Sequence, residues 1–206
     1  MRSKDNKEFW ERFAKMYGPF MSRNEKLYDT ICEELKPHLT KKMNVLELAC
    51  GTGQLSFPLA KEVHLWEATD FAPAMITEAR KIPAPSCLHF SVADATNLPY
   101  ADETFDMVII ANALHIMPDP ELALKEIFRV LKKDGELCAP TFMQGTTFLS
   151  KVRMKILSMA GFHTFYKWSP TEFAEYITSC SYEVTESKLL ASHLLPLCFL
   201  RARKTA

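Results

Sequence analysis

The sequence has no surplus of charge: 25 Lys and Arg balance 25 Asp and Glu over 206 residues. With no net field to draw a polyanion, neither nucleic acid nor an anionic membrane surface is expected as a partner, and any ligand must be recognised locally. A Cys-x-x-Cys pair is also missing. The six cysteines, Cys32, Cys50, Cys87, Cys138, Cys180 and Cys198, are irregularly spaced, which argues against a zinc site or a disulfide scaffold and for reduced thiols, mostly in a core. The six histidines form no cluster with one another or with cysteine, so no metal is expected. No window approaches the roughly 18 apolar residues of a membrane span. The opening MRSKDNKEFWERF is charged where a signal peptide is apolar, so a cytoplasmic protein without stable membrane association is expected. Repeats, low-complexity tracts and Pro/Gly/Ser linkers are absent, and residues 1–206 read as a single domain.

What is present is an alternation of period. Met43 to Ala49 is a short apolar run, Gly53 to Glu62 reads as helix, Val63 to Thr69 as strand and Phe71 to Lys81 as helix. Cys87 to Val92 and Phe105 to Ala111 give two further strands, the latter apolar on both faces as a central parallel strand is. Asp119 and Pro120 suit the start of a helix whose stripe is Leu124, Ile127, Phe128 and Leu131, with Gly135 as its stop. ELCAPTF supplies a fifth strand. Such an alternation implies a parallel sheet covered on both faces.

The last third departs from that rhythm. After a helix opening at Ser169-Pro170, YEVTESKLL and LPLCFLRARK are strands joined by only a few residues. No crossover helix fits between them, so they must pair antiparallel. Before the first strand, helical segments at about Asn6 to Tyr17 and Arg23 to His38 carry Phe9, Trp10, Phe13, Tyr17 and, between them, Phe20. These aromatics read either as packing on the sheet or as a helical lid, residues 1–40, over a ligand.

Ligands of open parallel sheets sit beyond the carboxyl ends of the strands. The first strand ends in Glu47 and a turn with Gly51 and Gly53, the second in Asp70, the third in Asp94 with Ala95, and the fourth in Asn112 with His115 close by. The two glycines permit close approach of a ligand to backbone. Asp70, 17 residues past Gly53, stands where a second-strand acid accepts hydrogen bonds from ribose hydroxyls. Asp94 and the Ala95 N–H complement the amino group and ring nitrogen of adenine.

Two cofactor classes compete for this site. The turn can be written G-x-G-x-x-S, close to a dinucleotide fingerprint, with Asp70 as its ribose acid. Glu47 and the closing hairpin stand against NAD, since a carboxylate would repel a pyrophosphate, whereas an amine or sulfonium gains from nearby carboxylates. An NAD-dependent oxidoreductase and a non-catalytic binding protein are the alternatives to be distinguished.

VLELACGTGQLS, ATDFAPAMITEAR, SVADATNLPYADETFDMVIIANALHIMPDP and EIFRVLKKDGEL together resemble successive motifs of the class I S-adenosylmethionine-dependent methyltransferases. The similarity is greatest to the small-molecule branch that includes the ubiquinone/menaquinone-biosynthesis type, and it runs from about Tyr17 to Lys204. It implies a Rossmann-like three-layer αβα sandwich whose seven-stranded, mostly parallel sheet has the order 3-2-1-4-5-7-6 and an antiparallel last strand. It implies S-adenosylmethionine as cofactor, S-adenosylhomocysteine as product and a small-molecule methyl acceptor. Glu47 would help hold the amino end of the cofactor, directly or through water, while Ala49, Gly51 and Gly53 form the loop under its methionine part. Asp70, with Phe71 beside it, would bind the ribose; Asp94 and Ala95 the adenine; Asn112 and the lid residue Tyr17 would lie near the methionine end.

Ala49 stands where the family usually has glycine, and Pro58 falls early in the following helix. Methyl transfer needs alignment more than acid–base work, and a base only if the nucleophile arrives protonated. His115, just past the fourth strand, is the candidate. Met143, Phe148, Met154, Met159, Phe162, Phe165, Tyr166 and Trp168 lie where relatives build a substrate cap. They suit an apolar or aromatic acceptor and equally suit ordinary core.

Overall fold

The computed structural model describes residues 5–22, 25–143, 163–190 and 196–205, with the backbone alone at 5, 18–22 and 25–27. Two helices come first, α1 (Asp5–Ser22) and α2 (Glu25–Leu35), the second running into a 3₁₀ turn at Lys36–His38. The alternating part follows as β1 (Asn44–Leu48), α3 (Ser56–Leu59), β2 (Leu65–Asp70), α4 (Pro73–Ala79), β3 (Leu88–Val92), β4 (Phe105–Ile110), α5 (Pro120–Val130) and β5 (Leu131–Cys138). A two-residue β6 (Thr141–Phe142), α6 (Pro170–Ser179), β7 (Tyr182–Leu190) and β8 (Leu197–Lys204) complete it.

The first five strands are parallel neighbours in the order β3-β2-β1-β4-β5. β8 lies antiparallel between β5 and β6 on one side and β7 on the other. Among the described residues the sheet therefore has eight strands rather than the expected seven. The extra one is a division of the fifth. Pro140 has no N–H to give to the ladder, but Ala139 N–H still reaches Leu200 O at 2.9 Å and Thr141 and Phe142 continue against β8. Counted as one bent strand, β5 and β6 restore the anticipated order.

Strand parity divides the core. Leu46, Leu48, Val108, Ile110 and Leu137 face α5 and α6, whereas Val45, Trp66, Ala68, Met107 and Ile109 face the side of α2, α3 and α4. Glu47, two residues from Val45, shares that second face. Pro58 limits α3 to a single α-turn that continues as 3₁₀ at Ala60–Glu62, shorter than the expected Gly53 to Glu62. α5 also ends early, at Val130. Leu131 is already extended, with ψ 137°, because it pairs with Phe105 of β4. The buried stripe is Ala123, Leu124, Ile127 and Val130, and Phe128 instead meets the Tyr182 ring edge-on at 5.6 Å. Ser169 caps α6 as expected: its hydroxyl accepts from Glu172 N–H and the Glu172 carboxylate accepts from Ser169 N–H.

Candidate functional site

The turn after β1 uses left-handed backbone at alternate positions: φ is 54° at Ala49, 57° at Gly51 and 91° at Gly53. Glycine is required at the second and third on two grounds. A Cβ on Gly51 would come within 2.8 Å of a Tyr17 ring carbon, and one on Gly53 within 2.7 Å of the Phe57 ring. Ala49 takes the same backbone region with its methyl in place. The turn is tied to β2 by Cys50 N–H to Thr69 O at 2.9 Å and by Gly51 N–H to Asp70 Oδ2 at 2.9 Å.

The three strand-end acids differ in what holds them. Asp70 accepts from Ala72 N–H through Oδ1 at 2.8 Å as well as from Gly51, so its carboxylate ties the glycine turn to the entrance of α4. Burial raises its pKa, against the pull of those two N–H groups. Glu47 is 2 % exposed. Its Oε2 accepts from the Ser56 hydroxyl and from Trp66 Nε1 at 2.9 Å, and burial pushes the carboxyl up to about 7. Asp94 is exposed and accepts through Oδ1 from Thr96 N–H at 2.9 Å and its hydroxyl at 2.7 Å, with Ala95 buried beside it. The loop that follows is pinned by α5. Arg129 donates to Tyr100 O, Leu98 O, Asp102 and Glu126, and Glu126 in turn accepts from Leu98 N–H at 2.8 Å.

On the β4 side the polar groups are less fully engaged. Asn112, with φ 55°, gives its N–H to Pro140 O at 2.7 Å and accepts from Phe142 N–H at 3.1 Å. Its Nδ2 is buried without a partner among the described residues. His115 sits on a 3₁₀ turn, Leu114–Ile116. Its Nδ1 is likewise buried and unpartnered, and burial lowers its pKa to about 4. The ring is therefore neutral at pH 7.

α1 crosses this end of the sheet. Its Asn6 Nδ2 donates to Ile116 O at 2.6 Å and to His163 O at 3.2 Å, and its Oδ1 accepts from His163 N–H at 3.1 Å. Further along, Trp10 and Tyr17 pack with Ala14 against Ala72 and Met75 beside α4, and Tyr17 and Tyr28 hydroxyls stand 3.4 Å apart. Burial raises the pKa of both tyrosines. Lys7 Nζ lies 4.3 Å above the Phe71 ring, which is 45 % exposed.

Tyr17, Ala49, Gly51, Asp70 and, one layer in, Glu47 are thus assembled around the turn. Asp94 and Ala95 stand at the next strand end, Phe71 lies outside on the surface, and Asn112 and His115 follow the end of β4. Asn6, Ser56, Trp66, Tyr28 and Arg129 were not singled out by sequence. The final serine of G-x-G-x-x-S, however, is the residue that holds Glu47, and parity alone puts Glu47 on the Val45 face. Among the cap candidates, Met143 is core at 4 % exposure, and Tyr166 and Trp168 stack on one another and on Tyr176. Phe148, Met154, Met159, Phe162 and the Phe20 side chain lie outside the described residues. No three His, Cys, Asp or Glu side chains among the described residues group as metal ligands, and no described helix is long and apolar enough to cross a membrane.

The residues suit S-adenosylmethionine: two glycines leave backbone bare and desolvated carboxyl groups line one side. Residues 46–139 match the family described as methyltransferase domain. The chain is 40% identical over 99 residues to a demethylmenaquinone methyltransferase of Lactobacillus johnsonii, covering 45% of this chain and 41% of that one. It is 40% identical over 111 residues to a ubiquinone/menaquinone biosynthesis C-methyltransferase of Neisseria meningitidis, covering 51% and 45%. The match spans less than half the length of either relative. A solved S-adenosylmethionine-dependent methyltransferase from Thermotoga maritima superposes over 97% of this chain and 99% of that one, with TM-score 0.76 and 22% identity, a likeness of fold. Over residues 46–139 the chain is thus similar to methyltransferase domains, and its fold is that of solved S-adenosylmethionine-dependent methyltransferases.

Proposed function

We propose that this chain transfers a methyl group from S-adenosylmethionine to a small, mainly apolar or aromatic acceptor, in the cytoplasm. The observation that carries the reading is the closure of the Gly51–Gly53 turn on the Asp70 carboxylate, beside the buried acid Glu47. When bound, the cofactor supplies an electrophilic methyl group on a sulfonium; the protein's task is to hold, align and exclude water.

Gly51 and Gly53 admit the methionine part to the backbone. Asp70 keeps one lone pair on each oxygen beyond its N–H partners for the ribose hydroxyls, and Asp94 with Ala95 takes the adenine edge on a loop that Arg129 keeps in place. Glu47 acts through charge: its contacts run to Ser56 and Trp66, and a cationic ligand nearby favours its ionised form. His115, neutral at pH 7, is a hydrogen-bond acceptor for the methyl acceptor and a weak base. α1 and α2 form a lid, with Tyr17 on the glycine turn and Asn6 on the turn that bears His115.

Calorimetric titration with S-adenosylmethionine, S-adenosylhomocysteine and NADH in parallel tests this. Micromolar binding of the first two without NADH is expected; NADH binding alone would make the turn a pyrophosphate cradle and the chain an oxidoreductase. Release of S-adenosylhomocysteine on turnover with acceptor mixtures separates an enzyme from a non-catalytic binding protein.

A further inference from the structure

Arg201 stands in the middle of β8, opposite Cys138 of β5 on one side and Glu186 of β7 on the other. Its side chain is 11 % exposed, and three elements meet it. From β5, both oxygens of the Glu136 carboxylate accept from Nη2, at 3.0 and 3.2 Å. From β7, Glu186 Oε2 accepts from Nη1 at 3.1 Å. The third contact leaves the sheet: Nη1 lies 2.6 Å from Nε2 of His38, the last residue of the 3₁₀ turn that ends α2.

A guanidinium has donors and no acceptor. His38 Nε2 must therefore be the bare nitrogen, with the ring proton on Nδ1, and the bond exists only while the ring is neutral. Protonation would remove the acceptor and set two cations in contact. Arg201 is the less free to yield, since withdrawing from His38 means withdrawing from the carboxylates on either side. The turn is held more lightly: Leu39 N–H closes it on Lys36 O at 3.2 Å, and Lys36 pairs with Glu62 at 3.3 Å on the surface.

We propose that the bond between Arg201 and His38 is an acid-released latch, by which neutral His38 fastens the end of α2 to the sheet and its protonation sets the turn free. Besides Arg201, the charges that face the ring are Glu136 of β5 and Glu186 and Lys188 of β7. Lys188 meets Glu186 at 2.7 Å and Glu34 of α2 at 2.5 Å. Hydrogen bonding to Lys188 holds the Glu186 carboxyl below its usual range, and the same bond raises the Lys188 ammonium, so both keep their charges while His38 titrates. Burial, and after it Arg201, lower the pKa of His38 against the pull of Glu186 and Glu136. The latched ring thus binds a proton less readily than the free one. Fastening is complete above the ordinary histidine value of 6.5 and is lost as pH falls through the lowered one. The Glu34 to Lys188 pair contains no histidine, so α2 keeps its own tie to β7 and release is confined to the turn and Leu39. None of this depends on the methyl-transfer reading.

Histidine NMR and amide hydrogen exchange on the whole chain test the latch. The wild-type His38 ring is expected in the Nδ1–H form at about pH 8, with a midpoint below 6.5. After correction for the intrinsic pH dependence of exchange, the Leu39 amide is expected to lose protection at that midpoint. The loss is up to about tenfold for each pH unit by which the midpoint is depressed. Amides of α2 keep theirs. His38→Gln retains an acceptor that takes no proton, so its Leu39 protection is expected to be high and the same on both sides of the midpoint; His38→Phe is expected to be poorly protected on both. An Nε2–H ring, a midpoint at or above 6.5, a loss of protection that His38→Gln shares, or a loss that runs through α2 would overturn the proposal.

Discussion

The two walls of the site are built on different principles. Around the glycine turn, the polar groups are mostly backbone or short acids, and they are fastened to one another: Gly51 N–H to Asp70, Ala72 N–H to Asp70, Ser56 and Trp66 to Glu47. After β4, His115 and Thr164 each keep a buried polar atom without a partner among the described residues, and contacts there join residues 110 and 157 positions apart. A wall that is satisfied without its ligand is pre-organised and suits an invariant cofactor. One with open hydrogen-bonding capacity obtains its satisfaction from what it binds.

The strongest way to break that contrast is to disturb the fastened wall by one methyl group. Gly53→Ala places a Cβ within 2.7 Å of Phe57 and 3.1 Å of Phe90, at φ 91°. Backbone strain and overpacking add, and a loss of about 2–4 kcal/mol of stability is expected, with cofactor binding reduced alongside it. Urea unfolding measures the first and calorimetry the second; a fully stable variant would mean that the turn is not tightly built.

Glu47 gives a test with a defined pH sense. Its folded value of about 7 stands above the ordinary 4.5, so the folded state holds the proton more strongly. The resulting stabilisation is complete below about pH 4.5 and is lost as pH rises through 7, by up to about 3 kcal/mol. Glu47→Gln keeps a group of the same shape that can accept from Ser56 and Trp66. Its stability should therefore fall less than that of the wild type over that window. The raised pKa of Asp70 acts in the same direction in both proteins and cancels in the difference. Parallel urea midpoints from pH 4.5 to 8 would show Glu47 to be hydrated. Saturating S-adenosylmethionine is expected to shift the wild-type transition downward in pH, because a cation favours the carboxylate.

Asp70→Ala separates fastening from binding. Loss of charge-assisted hydrogen bonds is expected to weaken S-adenosylmethionine by about 1–3 kcal/mol. A variant at the far wall such as Thr164→Val leaves that affinity unchanged. Equal weakening by both would erase the distinction between the walls.

The same contrast accounts for what sequence discloses. The fastened wall is local: an apolar run, an acid, glycines at a spacing, and the next strand's acid. Each is a short-range pattern with one backbone solution, and β1 to β4 and the closing hairpin were legible for that reason. Of β5 the stretch from Glu136 was legible and the start was not, because Leu131 satisfies a helical stripe as well as a strand register and only Phe105 across the ladder decides between them. Asn6 and Thr164 could not be singled out at all. An asparagine in a first helical turn and a threonine after an aromatic-rich stretch are ordinary residues until the chain brings Asn6 to the backbone of His163, the neighbour of Thr164, over 157 positions. Glu47 lies between these cases. Its place at the strand end was readable, but Trp66 as its partner follows only from two parallel strands sharing a face.

Ala49 offers the smallest effect. The φ of 54° lies in the left-handed region, where a Cβ is crowded by the neighbouring carbonyl oxygen and a non-glycine residue stores about 1 kcal/mol of strain. Glycine removes that strain but adds freedom to the unfolded chain, which offsets part of the gain. Ala49→Gly is therefore expected to raise stability by about 0.5–1 kcal/mol in urea unfolding and to leave S-adenosylmethionine affinity within about twofold. The second half of this expectation is the sharper one. If the methyl group only strains a turn already held by Cys50 and Gly51 against β2, removing it relaxes the turn without moving it. Should affinity rise tenfold, the alanine is instead holding the turn away from its best geometry, and the wall described here as pre-organised is partly organised by its ligand.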